Sequence, residues 1–232
     1  MGKHSILKIA HRGASGYAPE NTLAAIEKAI TMQADMVELD VMRCKSGEMI
    51  IIHDETVDRT TGGKGRVADL TLRELKKLDA GNGQTISTLN EVLDFIDCRS
   101  KVNLDLKGND IAADIVKILG SLVKDTSWCF DDILLSAVDY QQLIGLKGGE
   151  PRLLLGTIVY KPLNEDFWQH SKAIGAYSVH PSIEILNDGL VSRAHKEGLK
   201  VFAWTANEQS DIRKAMGFGV DGIFSNFPDL VR

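Results

Sequence analysis

The sequence IAHRGASGYAPENTLAAIEKAI (residues 9–30), followed by MVELDVMRCKSGEMIIIHDET (residues 36–56), decides how this chain folds. Ile6–Ala10 is a short apolar run that reads as a buried strand ending at His11-Arg12-Gly13. Met36–Val41 reads as a second strand, on which Glu38 and Asp40 stand two residues apart. Side chains alternate along a strand, so both carboxylates share one face of an otherwise apolar run (Val37, Leu39, Val41). Like charges at that spacing repel and lose hydration on burial, and a cation between them relieves both costs. Met49–Ile52 ends in the same manner, at His53-Asp54. Three apolar runs that deliver polar residues at their C-terminal ends describe the rim of an active site.

Outward from this stretch, Glu20-Asn21-Thr22 opens a helix whose apolar stripe is Leu23, Ile26, Ala29 and Ile30. The turn Lys45–Glu48 returns the chain directly to Met49–His53, a hairpin-like excursion rather than a helical crossover. Residues 55–87 are polar and rich in Gly, Thr and Asp, with one helical piece at Leu72–Leu78. That is too long for an ordinary βα connection and marks a functional insertion beside the site. Helix Thr88–Ile96 resumes a regular alternation. Strands are expected at Val102–Leu106, Ile133–Ser136, Arg152–Gly156, Ala176–Val179, Lys200–Trp204 and Gly219–Phe224. The helices between them are expected at Ile111–Val123, Tyr140–Leu146, Asn164–Ala173, Glu184–Lys196 and Glu208–Met216. With the first two strands this makes eight principal βα repeats, the number that a closed parallel barrel requires. The expected fold class is therefore α/β: one (β/α)8 barrel domain over residues 1–232, with the insertion at about 55–87 and a shortened or missing last helix. An open doubly wound sheet is the alternative, but no glycine-rich dinucleotide turn follows the first strand.

Composition narrows the function classes. A net charge of −5 with no dense Lys or Arg run disfavours nucleic acid as a partner. Cys44, Cys98 and Cys129 are odd in number and widely spaced, which suits free thiols in a reducing compartment. Met1–Ser5 lead straight into the first strand with no signal-peptide core, and no apolar run approaches the roughly 18 residues of a membrane span. A cytoplasmic protein without a membrane anchor is expected, and homo-oligomerisation is left open.

HRG (11–13), PENT (19–22), ELD (38–40) and HD (53–54), in this order and spacing, resemble the glycerophosphodiester phosphodiesterase family. The likeness continues through Asp105-Leu106-Lys107, which stands where the family has Glu-x-Lys. It extends to Ser136, to FAWTAN (202–207), and to Ser225-Asn226-Phe227-Pro228, with Asn for the family's Asp. The resemblance implies metal-dependent hydrolysis of a small glycerophosphodiester to sn-glycerol 3-phosphate and an alcohol. It implies His11 and His53 as the acid–base pair, chemistry that suits imidazoles near neutral pH. Glu38, Asp40 and Asp105 would hold a divalent ion, Mg²⁺ or Ca²⁺, as oxygen ligands do. Arg12 and Lys107 would bind phosphate, Glu20 would join the polar cluster around the metal, and Trp204 would pack over the glycerol. Asn21 is read as orienting only, Asp54 as structural and pointing away from His53, and His180 as a rim histidine.

From residues alone, several of these keep a plainer reading. Arg12 can be a salt bridge at the barrel mouth, Lys107 a structural ion pair, Glu20 a helix-entry residue and Trp204 core. Two functional alternatives also stand. A lysophospholipase D-like enzyme would need an apolar patch at the site mouth, whereas the insertion is polar. A degenerate barrel that binds phosphodiesters without cleaving them would fit the shorter Asp105 and the missing last helix.

Overall fold

The computed structural model describes residues 6–108 and 110–232. The expected lead of Met1–Ser5 into the first strand lies outside the described residues.

Eight parallel strands form the barrel: β1 (Leu7–Ala10), β2 (Met36–Arg43), β4 (Lys101–Leu106), β5 (Ile133–Ala137), β6 (Leu154–Val159), β7 (Ser178–Pro181), β8 (Lys200–Ala203) and β9 (Gly222–Ser225). β1 pairs with β9 on one side and β2 on the other, which closes the cylinder. β3 (Met49–Ile51) runs antiparallel to β2, pairing Val41 with Ile51. β1 lies along only the first part of β2, at Met36 and Val37, so the exposed edge beyond is where the hairpin docks. The helices are α1 (Leu23–Thr31), α2 (Leu72–Leu75), α3 (Leu89–Ile96), α4 (Ala112–Asp125), α5 (Tyr140–Gly149), α6 (Glu165–Ala173), α7 (Asp188–Lys196) and α8 (Gln209–Gly217). After β9 only a 3₁₀ turn, Pro228–Leu230, follows in place of a final helix.

Local chemistry sets these boundaries. α3 begins at Leu89 because Thr88 and Glu91 exchange side-chain and backbone hydrogen bonds as a capping box. α7 starts later than the expected Glu184, at Asp188, because Asn187 accepts from the backbone N–H of Leu190. α2 is one turn shorter than Leu72–Leu78. β6, β7 and β9 also begin later and extend further than the apolar runs suggest, since interior residues there are small or polar (Gly156, Ser178, His180, Ser225).

Alternation on the strands separates two cores. Val37, Leu39, Val41, Val102, Leu104, Ile133 and Leu135 point outward and pack on the helices. Ile9, Met36, Leu134, Phe202 and Phe224 point inward and plug the barrel floor. Above that plug the inward positions turn polar: register sets Glu38 beside Asn103, Asp40 beside Asp105, and Asp105 beside Ser136. Residues 55–87, polar in composition, nonetheless build a small core of their own. Val57, Val67, Leu75, Ala80 and Ile86 pack with Met42, Cys44, Ile50 and Ile52 on the hairpin. No helix of the described residues is long and apolar enough to cross a membrane.

Candidate active site

A cavity of about 220 Å³ opens at the C-terminal ends of the strands. It is lined by His11 just after β1, Glu38 from β2, Asp105 from β4 and Lys107 just after it, and His53 beyond β3. Arg12, Trp204 and His180 also line it. In this architecture that end is where the βα loops converge and where chemistry is placed.

The turn after β1 is held tightly. Arg12 and Gly13 take positive φ, and a Cβ on Gly13 would lie 2.7 Å from Ala25 on α1. The Arg12 N–H donates to Glu38 Oε2 (2.8 Å), and Asn21 donates from Nδ2 to Asp40 Oδ2 (2.8 Å). His11 is largely buried; burial, then the Arg12 charge, lower its pKa to about 4, so the ring is neutral at pH 7. Its Nδ1 bonds Asn226 Oδ1 at 2.7 Å, across the β1–β9 seam. An amide oxygen only accepts, so Nδ1 carries the proton and Nε2, 4.0 Å from Glu38, keeps its lone pair.

Glu38, Asp40 and Asp105 are buried and offer oxygens all within 4.8 Å of one another. Burial first, then the charges of Asp40 and Asp105, push the Glu38 carboxyl well above the usual range. Burial likewise pushes Asp105 up to about 6. Asp105 Oδ1 is buried without a hydrogen-bond partner among the described residues. Lys107 contacts Asp105 and lies 3.3 Å from Asp40, and Arg12 Nε lies 3.4 Å from Asp40, two positive charges beside three carboxyls. Three hard oxygen donors, one of them orphaned, fit a divalent cation. Asp105 reaches this group despite being shorter than Glu.

Two sequence readings change. Asp54 does not point away from His53: β3 stops at Ile51, and Asp54 Oδ1 meets His53 Nδ1 at 2.6 Å. His180 is not on the rim. It is 1% exposed, lies beside Phe202 and Phe224 at 5.4 and 5.2 Å, and meets Ser178 Oγ through Nε2 at 2.8 Å. Burial alone lowers its pKa to about 3. Glu20 does not line the cavity, because Arg12 and Arg59 take its oxygens at 2.8 Å each. Trp204 does line the cavity, its indole N–H fixed on the carbonyl of His180 at 2.7 Å. The sequence reading missed Arg59 and Asn103. Arg59 carried no spacing signal, while Asn103 could have been found by alternation, since it shares the inward face of β4 with Asp105.

The model of the glycerophosphoryl diester phosphodiesterase family matches residues 11–230. The chain belongs to that family. A glycerophosphodiester phosphodiesterase of Caldanaerobacter subterraneus subsp. tengcongensis is 38% identical, over 97% of this chain and 96% of the relative. One from Bacillus subtilis is 33% identical, over 97% of this chain and 85% of the relative. The chain also superposes on a phosphodiesterase of Oleispira antarctica solved in complex with the product sn-glycerol-3-phosphate. The TM-score is 0.88 at 32% identity, covering 96% of this chain and 94% of that one. Members of this family are phosphoric diester hydrolases, and this chain is one of them.

Proposed function

We propose that this chain hydrolyses glycerophosphodiesters to sn-glycerol 3-phosphate and an alcohol, with His11 and His53 as the acid–base pair. The observation that carries the reading is one small cavity bounded by both histidines, Arg12, Lys107, Glu38 and Asp105, with Asp40 buried behind its lining and within 4.8 Å of the other two carboxylates. Glu38, Asp40 and Asp105 would hold Mg²⁺ or Ca²⁺, which when bound polarises a phosphate oxygen and offsets developing charge. Arg12 and Lys107 hold the remaining oxygens, and Trp204 packs on the glycerol carbons.

His11 acts as base because its Nε2 lone pair is free and the ring is neutral. It removes the proton of the substrate's 2-hydroxyl, whose oxygen forms a bond to phosphorus. His53 delivers a proton to the departing alcohol as the old P–O bond breaks, its Nδ1 engaged by Asp54 and its Nε2 left for the transfer. Water then opens the cyclic phosphate with the two roles exchanged. The residue 55–87 unit covers one side of the site and influences which head group fits, and the whole chain works as one domain in the cytoplasm, its three cysteines free.

A second reading has one specific support. Val138 and Tyr160, 54% and 51% exposed, line the cavity mouth opposite β1 and supply the apolar patch that a lipid diester needs. ³¹P NMR with glycerophosphocholine, with Mg²⁺ or Ca²⁺ and after chelation, tests the first reading. An ion-dependent glycerol 3-phosphate resonance is expected. Turnover of lysophosphatidylcholine alone would establish the second reading in its place, and no product from either diester would remove both.

A further inference from the structure

Charged groups alternate in an unbroken chain from the carboxylate triad to His53. Asp40 Oδ2 lies 3.4 Å from Arg12 Nε, and Arg12 Nη1 donates to Glu20 Oε1 at 2.8 Å. Glu20 also accepts from Arg59 Nη1 and Nη2, each at 2.8 Å. Arg59 donates onward to Asp54 from Nε (2.6 Å) and Nη2 (3.1 Å), and Asp54 meets His53 Nδ1 at 2.6 Å. One planar guanidinium thus fixes two carboxylates, using its fork in a geometry that an ammonium lacks. Its partners stay ionised. Hydrogen bonds from Arg59 hold Asp54 well below the usual range, and for Glu20 the two arginines outweigh burial and bring it down to about 2.

Arg59 is half-exposed, and a surface ion pair contributes little to stability. Its backbone is nevertheless rigidly placed. Val57 is fully buried in the insertion's core, and its carbonyl accepts from the N–H and the hydroxyl of Thr61. A half-exposed side chain held this firmly, touching one partner of His53 and one of Arg12, is placed for geometry.

We propose that Arg59 is a positioning residue of the hydrolysis: it locks Asp54 against His53, so that this ring is aimed at the leaving oxygen. This rests on the reading of His53 as the acid. The residue 55–87 unit is then an integral part of the catalytic apparatus as well as a cover.

The test uses the full chain, its metal supplied, with two diesters: glycerophosphocholine, whose alcohol leaves only when protonated, and glycerophosphoryl p-nitrophenol, whose phenolate leaves unaided. Arg59→Gln is expected to lower kcat/KM for the choline diester by about 10²-fold, the cost of a misaimed catalytic group. The nitrophenyl diester is expected to lose only a few-fold. Arg59→Lys restores part of the loss, since it returns the charge without the fork. In the His53→Ala background, Arg59→Gln is expected to add little. Equal losses on both diesters, or losses additive with His53→Ala, would overturn the proposal, because a merely structural or phosphate-binding Arg59 has no leaving-group dependence. A thermal melt of each variant separates misfolding from misaiming. A wild-type chain that cleaves neither diester removes the hydrolase reading and this one with it.

Discussion

Two walls of one cavity hold their histidines by opposite means. On the wall made by the ends of β1 and β2 and by the segment after β3, His53 is partly exposed and tied to Asp54, which is itself tied to Arg59 of the residue 55–87 unit. On the opposite wall, His180 is sealed beside Phe202 and Phe224 with a serine hydroxyl as its partner. The residue type is the same and the environments are not. Charge and water access make the first ring available for proton transfer, whereas packing makes the second a neutral building block.

The widest gap between the walls is expected in catalysis. His53→Ala should lower kcat on glycerophosphocholine by about 10²–10⁴-fold while stability stays within about 0.5 kcal/mol. Steady-state kinetics beside urea unfolding checks both halves, and full activity in this variant would erase the distinction. Gly156→Ala probes the packed wall. Its new Cβ would lie 2.6 Å from His180 Cε1 and Nε2, with aromatic rings behind them. Overpacking of this kind costs about 1–3 kcal/mol and should appear as a lower urea midpoint.

The most gradual effect is a slope. His180 has its folded pKa lowered from 6.5 to about 3, so below pH 6.5 the unfolded chain takes up a proton that the folded chain refuses. Stability is therefore lost as pH falls from about 6.5 toward 3, by up to about 1.4 kcal/mol per pH unit from this group. Urea unfolding between pH 7 and 4 should give a shallower decline for His180→Gln than for the wild type. Parallel curves would mean that His180 is protonated in place.

The barrel was legible because its evidence is periodic: eight apolar runs separated by helical stripes survive small errors at each boundary. Two members of the triad are legible for a related reason, since alternation alone puts Glu38 and Asp40 on one face; Asp105 follows only from the family resemblance, and strand register brings it beside them. What escaped depends on contacts that no period encodes. Asp54 was misplaced by assuming that β3 runs on past Ile51. Arg59 sits in a long loop whose path is set by Val57 and Val67 finding the hairpin's underside. His180 reads as a rim residue where the apolar run ends at Val179, but its strand extends to Pro181. Asn226, which stands where the family has Asp, orients a histidine 215 residues away in sequence.

That last bond ties chemistry to the order of assembly. His11 emerges with the first strand, but its ring gains its acceptor only when β9 docks against β1. Contacts of such long sequence separation form late. A chain with most of its helices in place and this seam still open is no slow version of the enzyme, because its base points nowhere in particular. Recovery of turnover after denaturation should accordingly trail recovery of helical signal, and the appearance of activity marks the closing of the ring.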